Sequence, residues 1–426
     1  MSCATKDDLR RLQLNALQRL LAELGDNKFY APRLAAAGLA SGVESLEQFT
    51  GSMPFTLKSE LVDDQAAHPP YGTNLSYPLE RYVRFHQTSG TSGAPLRWLD
   101  TADGWRFMLA TWRKVFEVAA VGPADRVFFP FSFGPFLGFW TAFDAAAELG
   151  CLAVPGGGLS TKARLQVLED NRATVVCCTP TYAIRLGEAA VDEGTRLDSV
   201  RALIVAGEPG GSIDGVRRRI AELWHGAAVL DHHGMTEIGP VSYPSTRFPG
   251  LLHVNERSYL AEILDPETLD PVEAGRPGEL VLTVLGRPGS PLLRYRTGDL
   301  VRASLKTPDA LGSDDLALEG GILARVDDMV VVRGVNLYPS AVERIVRRFA
   351  EVAEYRVHLR ADRGMTEAEL EIEPAPSADE DLAARLAEAL RTAFQLRIPV
   401  RTAAPGTLPR FELKAKRWIR QGAESA

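Results

Sequence analysis

The chain is poor in the features that mark several large protein classes. It has four cysteines in 426 residues, Cys3, Cys151, Cys177 and Cys178, and none is spaced as CxxC. That argues against a disulfide scaffold. Cys177 and Cys178 lie inside the apolar run TVVCCTP and read as buried thiols, so a reduced, cytoplasmic setting is expected. No stretch approaches the roughly 18 uncharged apolar residues of a membrane span. The N-terminal MSCATKDDLRRLQLNALQRLLAELG is charged from its sixth residue and lacks the apolar middle of a signal peptide. The net charge is -7, with Lys and Arg scattered among acids, so no basic stripe marks a nucleic-acid or membrane surface. What is present is ordinary globular composition, 45% hydrophobic and 24% charged, in a chain longer than one core usually supports. Two domains are expected, at least one of them large.

Short apolar runs alternate with amphipathic stretches: RVFFPFSF, TAFDAAAELG, CLAVP, TKARLQVLEDN, TVVCCTP, then SVRALIVAGEP, SIDGVRRRIAELW and AAVLDHHG. This rhythm predicts strands and helices in turn, an α/β sheet with crossover connections. From residue 259 the pattern changes to AEILDPETLDPVEAGRPGELVLTVL and LLRYRTGDLVRA, apolar and polar residues alternating between turns, which predicts a β-rich subdomain. A last mixed segment reads as helix (SAVERIVRRFAEV), strands (YRVHLR, ELEIEP), helix (DEDLAARLAEALRTAFQ) and a short basic tail. The expected architecture is a large N-terminal α/β domain with a β-rich subdomain, 1–326, and a small mobile α+β C-terminal domain, 327–426.

Four stretches carry chemistry. In HQTSGTSGAPLRW, Thr88, Ser89, Gly90, Thr91, Ser92 and Gly93 follow a strand-like run. Glycines let backbone N–H groups turn inward and the hydroxyls add donors, a composition suited to phosphate. The Walker lysine is missing, and a Gly/Ser linker has the same composition. In DHHGMTEIGP, Thr236 and Glu237 offer a hydroxyl for phosphate and a carboxylate for Mg²⁺. His232 and His233 point to opposite faces if extended, which speaks against zinc. In LLRYRTGDL, Asp299 sits in a glycine turn and can accept from two vicinal hydroxyls; a turn-capping aspartate reads the same way. The tail LPRFELKAKRWIR holds lysines able to meet a developing negative charge, or simply to face solvent.

In this order the stretches resemble the acyl-adenylate-forming superfamily, and within it the phenylacetate-CoA ligase family. The resemblance runs from NKFYAPRLAAAGL and MPFTLKSEL through TSGTSG, AGEP, GMTEIGP, YRTGD and RVDDMVVVRGVNLYP to KAKR. It implies that Thr88 to Gly93 hold the phosphates of ATP, Thr236 the α-phosphate and Glu237 the Mg²⁺. It further implies that Asp299 grips the ribose beside Arg325, and that Lys414 bridges carboxylate and α-phosphate during adenylation. Ala206, Gly207, Glu208 and Pro209 match the adenine-side segment, as do His233, Gly234 and Met235. Asp327 matches the hinge about which the small domain swings, bringing Gly334 to a channel for the coenzyme A thiol. Phe131, Phe133, Phe136, Thr179, Pro180 and Tyr182 are expected to line the acyl pocket. Three positions depart from the family pattern: Ala94 replaces a lysine, His233 a tyrosine, and Ala324-Arg325 a Gly-Arg.

The implied reaction is activation of a small aromatic or arylalkanoic acid to acyl-AMP, then transfer to coenzyme A. Transfer to a carrier-protein phosphopantetheine or an amine is the alternative, and a non-catalytic nucleotide-binding homologue a second. The family often forms homodimers.

Overall fold

The computed structural model describes residues 6–88, 94–333, 335–362, 365–411 and 415–420. At the centre of the large domain is a five-stranded parallel sheet. Its order is Leu152–Pro155, Arg126–Phe129, Val175–Cys178, Ala202–Val205, Ala228–Asp231. The strands VVCC and ALIV are buried at every position, as parallel strands covered on both faces must be. Alternate residues feed two cores. Val176, Cys178, Leu203 and Val205 enter one, with helices Thr161–Asp170, Pro180–Glu193 and Asp214–Leu223. Val175, Cys177 and Ile204 enter the other, with helices Ala102–Val118 and Trp140–Glu148. Cys151, Cys177 and Cys178 are free, buried thiols.

The run RVFFPFSF is a strand only as far as Phe129. Pro130 has no N–H to donate to a ladder, and residues 130–139 leave the sheet as an irregular segment.

The β-rich part is a four-stranded antiparallel sheet, Tyr259–Leu264, Pro277–Val284, Tyr295–Arg302, Ala324–Arg325, beside a three-stranded sheet of Ser242–Pro244, Leu251–Val254 and Ala317–Glu319. The Asp265 carboxylate accepts from the N–H groups of Glu267 and Thr268, closing the turn the sequence signals there. The N-terminal helices wrap this sheet. Leu17, Leu24, Phe29 and Tyr30 share a core with Tyr259, Leu282 and Tyr295. Thr56 bonds at both its N–H and C=O to the backbone flanking Tyr295, which carries the next residues, including Lys58, to the same place.

The C-terminal domain has its own core, from Val332 to Ile398. Its four strands run Val400–Thr402, Met365–Pro374, Val352–Asp362, Trp418–Arg420, the central pair antiparallel and the flanking pairs parallel. Helices Pro339–Val346 and Leu382–Phe394 add Val342, Ile345, Leu386 and Leu390 to that core.

Candidate active site

Ligands of open parallel sheets gather at the carboxyl ends of the strands. Three adjacent strands end here in motif residues: Cys178 leads to Thr179 and Pro180, Val205 to Ala206, Gly207, Glu208 and Pro209, and Asp231 to His232 and His233. Gly234–Met235 then pairs with Gly239–Pro240 in a small hairpin that contains half-buried Thr236 and buried Glu237.

His232 and His233 part company as expected. His232 is buried, its Nδ1 2.7 Å from the Ser242 carbonyl and its ring 3.9 Å from that of Trp112, and burial pushes it down to about 3. It is a neutral packing group. His233 turns to Asp299, with Nε2 2.9 Å from Oδ2. Asp299, on strand Tyr295–Arg302, is 4% exposed, and its Oδ1 accepts from Arg325 Nη1 at 3.1 Å. Arg325 also donates through Nε to Asp327 Oδ1 at 2.8 Å. His233, Asp299, Arg325 and Asp327 thus form one chain of charge-assisted contacts.

Glu237 is the second focus. Tyr295 donates to its Oε1 at 2.7 Å, and Lys58 Nζ lies 3.5 Å from the same oxygen. Burial, with the Glu237 carboxylate added, pushes the Tyr295 hydroxyl well above the usual tyrosine range, so it remains a donor. Arg287, 1% exposed, donates to the Glu237 carbonyl at 2.9 Å and through two nitrogens to Asp100 Oδ1 at 2.6 and 2.9 Å. Among the described residues no group of three or more His, Cys, Asp and Glu side chains can hold a metal unaided. One carboxylate fits Mg²⁺, which commonly takes one or two protein carboxylates and completes its shell with substrate phosphates and water.

Thr88 stands just beyond the first strand of a hairpin. Strands Tyr82–Gln87 and Arg97–Thr101 form a hairpin, and beyond them Thr88 and Leu96 pair twice: Thr88 N–H to the Leu96 carbonyl, and Leu96 N–H to Thr88 Oγ1, both 3.0 Å. Ser89 to Gly93, Gly334 and Lys414 lie outside the described residues.

The expected acyl pocket is divided. Phe131 and Phe133 pack edge to face at 5.4 Å, with Phe139 against the first and Trp140 and Phe143 against the second. Gly138 permits this, since a Cβ there would strike the Phe131 ring. Two expected residues fall elsewhere. Phe136 is 40% exposed, on the irregular segment after Pro130. Tyr182 is buried across the sheet from Phe131, its hydroxyl accepting from Arg164 Nη1 at 2.7 Å, because the helix starting at Pro180 packs on that other face. Glu208 accepts from the N–H groups of Thr181 and Ala415.

Lys58, Tyr295 and Arg287 carry no role in the sequence reading. MPFTLKSEL and YRTGD contain the first two, but the contact that joins them to Glu237 is tertiary. Arg287, in LGRPGS, reads as a turn.

Fold and site define an adenylate-forming, AMP-binding enzyme. Residues 82–284 match the AMP-binding enzyme family and residues 334–421 the AMP-binding enzyme C-terminal domain. The phenylacetate-coenzyme A ligase of Thermus thermophilus is 32% identical over 86% of this chain and 82% of its own. That of Pseudomonas putida is 30% identical over 97% and 94%. The chain belongs to the phenylacetate-CoA ligase family. Crystals of a 2-hydroxyisobutyryl-CoA ligase with 2-HIB-AMP in its postadenylation state superpose with a TM-score of 0.88, at 26% identity over 99% of this chain and 91% of that one. In its thioesterification state the same ligase, over 98% and 90% at 28% identity, gives 0.70. The drop is comparable to the share of the chain in the C-terminal domain, so the domains here are arranged as in the postadenylation crystals.

Proposed function

We propose that this enzyme converts a small aromatic or arylalkanoic acid and ATP into acyl-AMP and pyrophosphate, then passes the acyl group to coenzyme A. The observation that carries the reading is the pairing of Asp299 with both His233 and Arg325, together with buried Glu237 and its cation Lys58. Asp299 exchanges these partners for ribose hydroxyls, and His233 offers its ring to adenine. Glu237 would hold Mg²⁺, which would supply positive charge against the phosphates. Lys58, beside it, supplies the cation missing at Ala94, and Thr236 donates to the α-phosphate. Lys414 stabilises the charge that gathers on phosphorus as the carboxylate attacks. After pyrophosphate leaves, residues 327–426 turn about Asp327, withdrawing Lys414 and bringing Gly334 to the thiol path. The rings of Phe131 and Phe133 support an aromatic acid.

ATP–pyrophosphate exchange against aromatic and aliphatic acids, followed by mass spectrometry for acyl-CoA, tests this. Exchange and thioester with arylalkanoic acids are expected. Preference for long aliphatic chains removes the acid assignment, and exchange without thioester moves the acceptor to a carrier protein or an amine.

A further inference from the structure

Glu208 does something that an adenine-side role does not explain. Helix Pro180–Glu193 begins with Thr179, whose side chain accepts from the Tyr182 N–H, and Glu208 Oε1 accepts from the Thr181 N–H at 2.8 Å. A carboxylate at a helix N-terminus meets both unpaired N–H groups and the positive end of the dipole, so its position is set by the large domain alone. Its second oxygen, Oε2, accepts from the Ala415 N–H at 3.1 Å.

The donor is equally well placed by the small domain. Two residues on, Arg417 is 7% exposed, bonded to both oxygens of Glu354 at 2.7 and 3.2 Å and to Glu343 at 3.2 Å. Residues Trp418–Arg420 then join the small sheet beside Val357. The N–H of Ala415 therefore projects from a braced segment onto a braced carboxylate. The same docking needs Gly215, where an added Cβ would lie 1.9 Å from the carbonyl oxygen of Arg347 in the small domain.

We propose that Glu208 is a positioning residue that latches the C-terminal segment in the domain arrangement seen here, with Gly215 providing the space for that docking. This rests on the two-step reaction read above. The segment held is the one that contains Lys414, so the latch governs how often that lysine is delivered, while nucleotide affinity stays with Asp299 and its neighbours. Burial raises Glu208, and the nearby Glu343 carboxylate adds to the rise.

Glu208→Gln replaces one acceptor oxygen by an amide that cannot accept, and so loses one of the two bonds. Its ATP–pyrophosphate exchange should slow about 10-fold more than thioester formation from supplied acyl-AMP, the weight of one charge-assisted hydrogen bond, with KM for ATP unmoved. Gly215→Ala, on helix Asp214–Leu223 and outside the Ala206–Pro209 segment, should shift the same ratio in the same direction. A raised KM for ATP with kcat retained, or an equal fall in both half-reactions, overturns the latch. Tryptic cleavage at residues 410–417 of the ligand-free protein gives a readout independent of turnover. Faster cleavage in both variants supports the latch, and unchanged cleavage overturns it. Wild-type protein that exchanges with no acid sinks the reaction reading instead, and cleavage still decides the latch.

Discussion

Two buried arginines hold the two parts of this protein by different logics. Arg287 binds Asp100, the Glu237 carbonyl and the face of Trp98, all in the large domain. Arg417 binds Glu354 and Glu343 and lies over Tyr355 and Phe411, all in the small one. Each charge stiffens its own body. Contacts that cross between bodies are lighter, such as Ala415 to Glu208, or the Ser340 hydroxyl to the Leu323 carbonyl at 2.5 Å. A charge buried with one body's partners resists removal, whereas single hydrogen bonds of about 1 kcal/mol net can be exchanged during turnover. Apart from the Arg325–Asp327 pair at the boundary, the buried charges tie each part to itself.

The sharpest test of that contrast is Arg287→Met. It leaves Asp100, 2% exposed, without its cation, and unfolding free energy from urea titration should fall by about 3–5 kcal/mol. A loss below about 1 kcal/mol would dissolve the distinction between internal and crossing ties. Arg417→Met should cost about 3 kcal/mol, felt in the small domain. Hydrogen exchange should quicken in Val352–Asp362 and Met365–Pro374 while Val175–Cys178 stays protected; uniform loosening would mean the two bodies are one cooperative unit. Lys414→Ala should slow adenylation about 10²-fold and leave ATP binding largely intact, and a fully active variant would refute the catalytic role assigned to it.

Acid provides a gentler probe. The Arg410 hydrogen bonds hold Glu373 down at about 2, from an ordinary 4.5. A depressed carboxylate contributes its full stability above the ordinary value and loses it as pH falls from there toward 2. Arg410→Met should therefore raise the pH at which the small domain unfolds, read by hydrogen exchange against the parallel sheet; an unmoved midpoint would place that sensitivity elsewhere. The smallest effect is expected at His233→Phe. It keeps a ring for adenine but removes the His233 bond to Asp299 Oδ2, and KM for ATP should change only a few-fold, on the order of 1 kcal/mol.

Much of the architecture was legible because parallel strands buried on both faces appear as short apolar runs between Gly and Pro. TVVCCTP and ALIVAGEP are such runs, and their ends deliver Thr179 and Ala206 to Pro209 to the sheet edge. Asp299, Arg325 and His233 were legible as motifs, although nothing local announces that they bond to one another. Lys58 and Arg287 were not, because each gains its meaning from a partner far along the chain. Arg287 lies 187 residues from Asp100. Phe136, expected at the acyl pocket from its place in the aromatic run, is 40% exposed on the irregular segment after Pro130, whose course no local pattern announces. Tyr182 was misplaced because a sequence run does not tell which face of a sheet its helix will cover.

One guanidinium has a consequence for timing. Arg325 touches Asp299, the proposed ribose ligand, and Asp327, the proposed hinge. Whatever occupies Asp299 alters how strongly Arg325 is held at Asp327, and any rotation at Asp327 alters the charge presented to the sugar. Thermodynamic linkage makes these one coupling measured from two ends. Under the proposed function, departure of the nucleotide and resetting of the hinge are reciprocal events, and the free energy of one is available to the other.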